Sequence, residues 1–360
     1  MKPRPILLVV LLLHGYIGLR LLPPLPWPAQ AAALAMLVAC FVLLPKGWHV
    51  RERAGWRAMA PWIAMGFFSW LLVLTLARDV ALLFLGAGSA ASTAAAVLLA
   101  TPLITLVGYA MARRTAAVKR VTVRVPGLEA ALHGFTIAQI SDIHVGPTIK
   151  RPFVEAIVAR VNLLGADMVA ITGDIVDGSV HELGWHTEPL GALASRHGTY
   201  IVTGNHEYYS GVHHWVRELR RLGARVLLNE HVVLEHDGAR VTVAGVTDYS
   251  AHHFDPSHAS DPHRAMAGAP ADGVKVLLAH QPRSAALAAE AGFHLQLSGH
   301  THGGQFWPWN LFVRLQQPFT AGMNRLGRMW VYINRGTGYW GPPMRFGIPS
   351  EITLLEFVPE

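Results

Sequence analysis

The apolar pattern divides the chain near residue 115. Before that point apolar residues come in long unbroken runs; from Val121 onward they come in short runs separated by turns. A helix needs about 20 apolar residues to cross a bilayer. Four runs approach that length: Ile6–Leu22, Pro28–Leu44, one that starts near Pro61 and ends between Ala77 and Leu85, and Ala91–Met111. Pro23-Pro24-Leu25-Pro26-Trp27-Pro28 separates the first two, because proline removes an N–H and clashes with the preceding turn. The pattern predicts an α-helical transmembrane domain of about four helices over residues 1–115. Lys2, Arg4 and Ala29-Gln30-Ala31 would also suit a cleaved signal peptide, but three further apolar runs argue against it. The last two runs could be buried core helices; their length and lack of polar periodicity argue against that.

The second part reads as an α/β domain over residues 116–360. Strands are predicted at Val121–Val125, Thr136–Ile140, Met168–Thr172, Thr199–Val202, Val232–Glu235, Arg240–Ala244, Val274–Leu278, Leu295–Leu297, Trp330–Ile333 and Ile352–Phe357. Helices are predicted at Pro152–Leu164, Gly211–Leu222 and Arg283–Ala291. In the first of these, Phe153, Ile157, Val161 and Leu164 share one face. Many strands with fewer helices point to two packed sheets flanked by helices.

Composition supports the division. Of 360 residues, 52% are hydrophobic and only 15% charged, against a usual charged fraction of about 25%. The single cysteine, Cys40, excludes an internal disulfide and thiolate metal clusters. A net charge of +7 could suggest nucleic acid, but the basic residues gather at the ends of apolar runs. The predicted partner is therefore the lipid bilayer, with no nucleic acid. With four spans, Lys2, Arg4, Lys46, Arg51, Arg53, Arg57, Arg113, Arg114, Lys119 and Arg120 fall on one side. Arg20 falls on the other, where Arg78 could join it. The positive-inside rule then predicts a multi-pass inner-membrane protein with both termini and the second domain in the cytoplasm. Changing the helix count by one moves that domain to the other side. Arg78 and Asp79 lie near the end of the third run. Charge in lipid is costly and is usually paired or functional; the span is read as ending at Ala77 with the pair at the interface, and a paired or functional charge within the membrane is the alternative.

Five segments carry chemistry, each following or ending a predicted strand: Asp142-Ile143-His144, Gly173-Asp174-Ile175-Val176-Asp177, Gly204-Asn205-His206-Glu207, Ala279-His280-Gln281 and Gly299-His300-Thr301-His302-Gly303. Two divalent ions about 3.5–4 Å apart can clamp a phosphoryl group and lower the pKa of water. Such ions take mixed carboxylate and imidazole ligands. Alternate residues on a strand share a face, so Asp142 and His144 are expected to reach one metal, and His300 and His302 to converge likewise. Gly173, Gly204 and Gly299 are expected to permit unusual backbone angles and close approach of substrate. Each segment alone is a weak signal; the ordered set is not.

This set resembles the calcineurin-like metallophosphoesterase superfamily. The runs Ser141-Asp142-Ile143-His144, Thr172-Gly173-Asp174, Gly204-Asn205-His206-Glu207-Tyr208-Tyr209 and Ser298-Gly299-His300-Thr301-His302-Gly303-Gly304-Gln305 look like its YkuE/YaeI-like branch, as does the tail Pro342-Pro343-Met344-Arg345-Phe346-Gly347. The resemblance implies a four-layer αββα sandwich and two divalent metal ions, Mn, Fe or Zn. It implies that Asp142, His144 and His302 hold the first metal, that Asp174 bridges, and that Asn205, His280 and His300 hold the second. His206 would be the unligated general acid, and Asp177 would orient it. The implied reaction is in-line attack of metal-bound hydroxide on a phosphoester: a diester, a monoester or a pyrophosphate. The membrane part suggests a lipid-linked substrate. A non-catalytic membrane scaffold built on the same fold is the alternative; intact ligands argue against it.

One position departs from a related branch. Where protein phosphatases of this superfamily carry a phosphate-binding Arg after the second Asp, this chain has Gly178. Arg335 and Arg345 are candidate replacements. The stretch from Tyr249 to His263 holds His252, His253, His258 and His263 with Asp248, Asp255 and Asp261. It reads as an exposed loop, with a third metal site as the alternative. Trp307 and Trp309 could line a pocket mouth, touch the membrane surface, or simply pack.

Overall fold

A computed structural model describes residues 3–49 and 55–360. Lys2, Arg51 and Arg53, used in the topology argument, lie outside the described residues. The chain forms two compact units. Residues 1–113 together with 341–346 make the first, and residues 114–340 and 347–360 the second.

The first unit contains helices α1 (Pro3–Leu21), α2 (Trp27–Leu43), α3 (Trp56–Leu85) and α4 (Ala90–Arg113). Three segments are long and apolar enough to cross a membrane: Trp27–Gly47, Trp56–Leu85 and Ala87–Arg113; α1 offers a shorter apolar stretch, Pro5–Leu21. Pro26 precedes α2 and Pro28 sits in its first turn, where the missing N–H costs nothing. Ile17, Leu21, Leu37, Leu71, Ala94 and Val97 pack inward. Leu83 and Phe84 are 81% and 84% exposed, a surface that suits lipid better than water.

The third run does not stop at Ala77. It continues as α3 through Arg78 and Asp79 to Leu85. The charges are matched within the helices rather than released at a helix end. Arg78 is buried and donates to Thr93 Oγ1 (3.1 Å) and the Ala90 carbonyl (2.9 Å). Asp79 accepts from Tyr16 Oη (2.6 Å) and Arg20 Nε (2.8 Å). Such pairing is what makes a charge tolerable at these positions.

Residues 341–346 join this unit. Met344 is buried against Gly66 of α3 and Gly108 of α4, and a Cβ on either glycine would collide with its side chain. The Arg345 N–H donates to the Gly108 carbonyl (2.9 Å), and Phe346 meets Trp70 edge to face.

The second unit is an αββα sandwich. One mixed sheet runs in the order β1 (Ala117–Val125), β12 (Glu351–Pro359), β2 (Thr136–Ile140), β3 (Met168–Ile171), β4 (Thr199–Ile201), β5 (Arg225–Val226). The other runs β10 (Gly322–Leu326), β11 (Met329–Ile333), β9 (Leu295–Ser298), β8 (Val274–Leu278), β7 (Ala239–Gly245), β6 (Glu230–His236). Strands β2, β3, β4 and β5 are parallel neighbours, as are β7, β8, β9 and β11. The central strands β3 and β9 are buried at every position, as expected of parallel strands covered on both faces.

Ile137, Ala170 and Tyr200 of the first sheet and Val243, Val276, Leu297 and Tyr332 of the second share one core between the sheets. On the outer face of the second sheet, Ala244, Leu277 and Val331 pack with Ala285 and Ala288 of α10 (Ala285–Glu290). Outside the first sheet, α5 (Arg151–Asn162) buries Phe153, Val154, Ile157, Val158 and Val161. The remaining helices are α6 (Val180–Thr187), α7 (Asn205–Tyr209), α8 (Val212–Arg221) and α9 (Pro262–Met266).

Candidate metal centre

The five sequence segments meet where parallel strands of both sheets end. Asp142 and His144 follow β2, Asp174 follows β3, and Asn205 and His206 follow β4. His280 follows β8, and His300 and His302 follow β9. Carboxyl ends of parallel strands are where α/β sheets commonly place ligands.

Strand alternation does not explain the convergence. Asp142 (φ 52°), His144 (55°), Asp174 (52°), His300 (71°) and His302 (50°) all adopt left-handed backbone. Such angles are unusual for residues with a Cβ and cluster at functional sites. His300 and His302 also part company: His302 joins Asp142 and His144, while His300 joins Asp174 and His280. The glycine expectation needs a similar correction. Of the three glycines only Gly173 has positive φ (86°). Gly204 is extended (φ −98°) and is required by proximity, since a Cβ there would strike the Asp174 carboxylate. A Cβ on Gly299 would strike Ser141 and Asp142.

Two ligand groups result. Asp142, His144 and His302 form one, and Asp174, His280 and His300 the other, each with donor atoms within 4.8 Å of one another. Asp174 Oδ2 lies 3.1 Å from His280 Nε2 and 3.8 Å from His144 Nε2, so it reaches both. The ring nitrogens face each other: His144 Nε2 is 3.1 Å from His302 Nε2, and His300 Nδ1 is 3.2 Å from His280 Nε2. Asn205 Oδ1 is buried and has no hydrogen-bond partner among the described residues. Lone pairs turned on one another and an orphaned amide oxygen are what a set of metal ligands looks like without its ions. The residues fit two divalent ions.

The ligands are themselves held. His280 Nδ1–H donates to the Thr172 carbonyl (2.7 Å), which leaves Nε2 for a metal. Asp177 does more than was expected of it. Its Oδ1 accepts from His206 Nδ1 (2.5 Å) and stands 3.1 Å from His144 Nδ1, so one carboxylate orients the candidate acid and a candidate ligand together.

Charge follows from this packing. Burial opposes ionisation of Asp177, but the imidazoles of His144 and His206 outweigh it and hold the carboxyl at about 2. Burial also opposes a charged His206, and there Asp174 and Asp177 win, lifting it to about 9. Burial, reinforced by His280, keeps His300 down at about 3, the neutral form that can bind a metal.

Glu207 was quoted in a motif but given no role. It is fully buried. Its carboxylate accepts from the backbone N–H groups of Asp174 (3.0 Å), Ile175 (2.7 Å), Val176 (3.3 Å) and Gly204 (2.7 Å). It thereby ties the loop after β3 to the loop after β4. Burial and the nearby Asp174 push it up to about 7 against those donors. The signal was legible, because an acid three residues past a helix N-cap has capping-box spacing. Tyr209 and Trp340, also unforeseen, lie edge-on to His206 with ring centroids at 5.1 and 5.6 Å.

The remaining candidates separate. Arg335 lines a cavity of about 370 Å³ with Gly303, the residue after His302, and with Asn310, Arg314 and Thr320. Arg345 is buried and belongs to the first unit. Gly178 packs under α6, where a Cβ would lie 3.0 Å from Leu183 Cδ1. Trp307 and Trp309 are 45% and 41% exposed in the loop after His302. Within the His-rich stretch, Asp248 is occupied by Ser250 and Gln281, and Asp261 caps α9.

Comparison with known proteins places the chain in a family. The family profile described as calcineurin-like phosphoesterase matches residues 135–304. A bovine (Bos taurus) "transmembrane protein with metallophosphoesterase domain" is 40% identical over 71% of this chain and 60% of its own length. An uncharacterized metallophosphoesterase of Aquifex aeolicus is 31% identical over 61% of this chain and 83% of its own length. The metallophosphoesterase YkuE of Bacillus subtilis is 28% identical over 62% of this chain and 78% of its own. The chain spans 60% to 64% of the length of the first curated relatives it matches. Motifs, sandwich and relatives coincide, and the chain belongs to the calcineurin-like metallophosphoesterase family.

Proposed function

We propose that this chain is a membrane-anchored phosphoesterase whose catalytic domain, residues 116–360, works with two divalent ions, Mn, Fe or Zn. Asp142, His144 and His302 would hold one ion and Asn205, His280 and His300 the other, with Asp174 shared. The observation that carries this reading is the reach of Asp174 Oδ2 to imidazoles of both groups. Two ions so held supply a clamp for phosphoryl oxygens and a water acidic enough to react at neutral pH.

The chain's own residues do the rest. His206 Nδ1 is fixed by Asp177, so the proton it can deliver sits on Nε2, 3.9 Å from Asp174 Oδ2. That position suits protonation of a leaving-group oxygen. Tyr209 and Trp340 flank His206 and would bound the leaving group on either side. Gly178 offers no phosphate contact, which counts against a protein phosphatase. Arg335, which lines a cavity with the residue after His302, is the proposed phosphate-binding cation. The apolar helices favour a substrate at the membrane, with a lipid-linked phosphoester as the proposed class.

The test is turnover of bis-p-nitrophenyl phosphate by the full chain in detergent with added Mn²⁺. Hydrolysis is expected. His206→Ala should lower kcat about 10²–10⁴-fold while metal content stays near wild type. A folded, metal-loaded wild type that turns over no phosphoester would support the scaffold instead.

A further inference from the structure

Most of the His-rich stretch is accounted for by turns and caps, but part of it converges on a helix that sequence reasoning did not connect to it. His213 of α8 brings its Nε2 to 3.3 Å from Asp255 Oδ2. His258 Nε2 lies 3.9 Å from the same oxygen. All three donor atoms fall within 4.8 Å of one another. An ion with tetrahedral bonds of about 2.0–2.2 Å sets its donors about 3.3–3.5 Å apart, so small side-chain movements suffice to close the set.

The donors are presented, not merely near. Asp255 Oδ1 is taken by the Ser257 N–H (3.0 Å) and Oγ–H (2.6 Å), which leaves Oδ2 facing the imidazoles. His258 Nδ1 is 2.9 Å from the Tyr208 hydroxyl. In the tautomer that donates to Tyr208, the Nε2 lone pair is free for a cation, the usual arrangement of a ligating histidine. The Thr247 hydroxyl fixes the His258 carbonyl at 2.7 Å. His252 and His253 contact one another with tilted rings and stay outside the group.

We infer that His213, Asp255 and His258 form a third metal site, for a single Zn²⁺-like divalent ion, independent of the dinuclear centre. Two imidazoles and one carboxylate favour Zn²⁺, Co²⁺, Ni²⁺ or Cu²⁺ over Mg²⁺ or Ca²⁺, which prefer all-oxygen sites. The fourth position faces outward, since His213 is mostly exposed. An ion there clips the 251–258 segment to α8. That segment carries Phe254, which packs on Tyr208 and Tyr209, and Tyr209 borders His206. The ion would therefore order one wall of the proposed active-site mouth.

The test is equilibrium dialysis of the full chain in detergent against buffered free Zn²⁺, with bound zinc per chain read by mass spectrometry. His213→Ala, Asp255→Asn and His258→Ala should each bind one equivalent fewer than wild type, and His252→Ala should bind as many. The count is a difference, so it stands whatever occupies the dinuclear centre. His213→Cys should regain the equivalent and give a thiolate-to-Co²⁺ charge-transfer band when Co²⁺ replaces zinc. His213 is on the surface, and its variants should keep the wild-type circular dichroism. Equal zinc in wild type and His213→Ala at every free zinc level, or no charge-transfer band in His213→Cys, would overturn the site.

Discussion

At the scale of single residues, Asp177 has two tasks that pull on different observables. Its negative charge, with that of Asp174, holds His206 up to about 9 against burial. A general acid delivers its proton only below its pKa, so kcat should fall on the alkaline side as pH rises through that value. Asp177→Asn removes one of the supporting charges and lowers the pKa. The alkaline limb of kcat should move to lower pH by about one unit. Because Asp177 also stands against His144 Nδ1, metal content must be measured in the same samples. A limb that stays in place with metal retained would remove His206 from the role of acid. The candidate ligands were legible in the sequence because metal chemistry restricts their types and the motifs order them. Their backbone angles were not, since nothing in Asp142 or His302 announces a positive φ. His213 was invisible for another reason: α8 and the 251–258 segment are far apart in sequence, and only the fold brings them together.

At the scale of elements, periodicity worked where an element was long or buried and failed where it was short. α5 and the central strands followed their apolar pattern because each has a face, or two, in a core. β5 has two residues and α7 five, too few for a period to register. α6 was missed although Ser179 and Glu182 form a capping box, a local signal that outweighs its weak apolar face. The third apolar run, expected to end between Ala77 and Leu85, continues as helix to Leu85, so the charged pair does not mark a helix end. Arg78 instead finds Thr93 and Ala90 on the neighbouring chain segment. The glycines of α3 and α4 make a measurable claim. Met344 fills the space left by Gly66 and Gly108. Gly108→Ala should destabilise the helical unit by about 1–3 kcal/mol through overpacking, read as a lower unfolding midpoint in detergent. Met344→Ala in the same chain should recover part of that loss, because contacting residues are not additive. Full additivity of the two changes would show that Met344 does not occupy that space.

At the scale of the whole molecule, the side of the membrane on which the catalytic domain lies depends on α1. The other three apolar segments are long enough to cross. α1 has 19 residues, about 28 Å of helix at 1.5 Å per residue, against a hydrocarbon core of about 30 Å. That is short, yet within the range that snorkelling ends and local thinning allow. Arg20, at the end of α1, bears on how α1 packs. It binds Asp79 of α3 (2.8 Å), and Tyr16 of α1 binds the same carboxylate (2.6 Å). These bonds place the C-terminal end of α1 level with the later part of α3, so α1 runs beside α3 rather than lying along a surface. An α1 that crosses gives four spans and puts both termini on one side. We propose that the basic residues between α2 and α3 and after α4 would then make that side the cytoplasm. Reporters fused at the N-terminus and after Glu360 should both be active only as cytoplasmic proteins. Opposite sides for the two reporters would mean that α1 does not cross, and the active site would then face away from the compartment proposed for it.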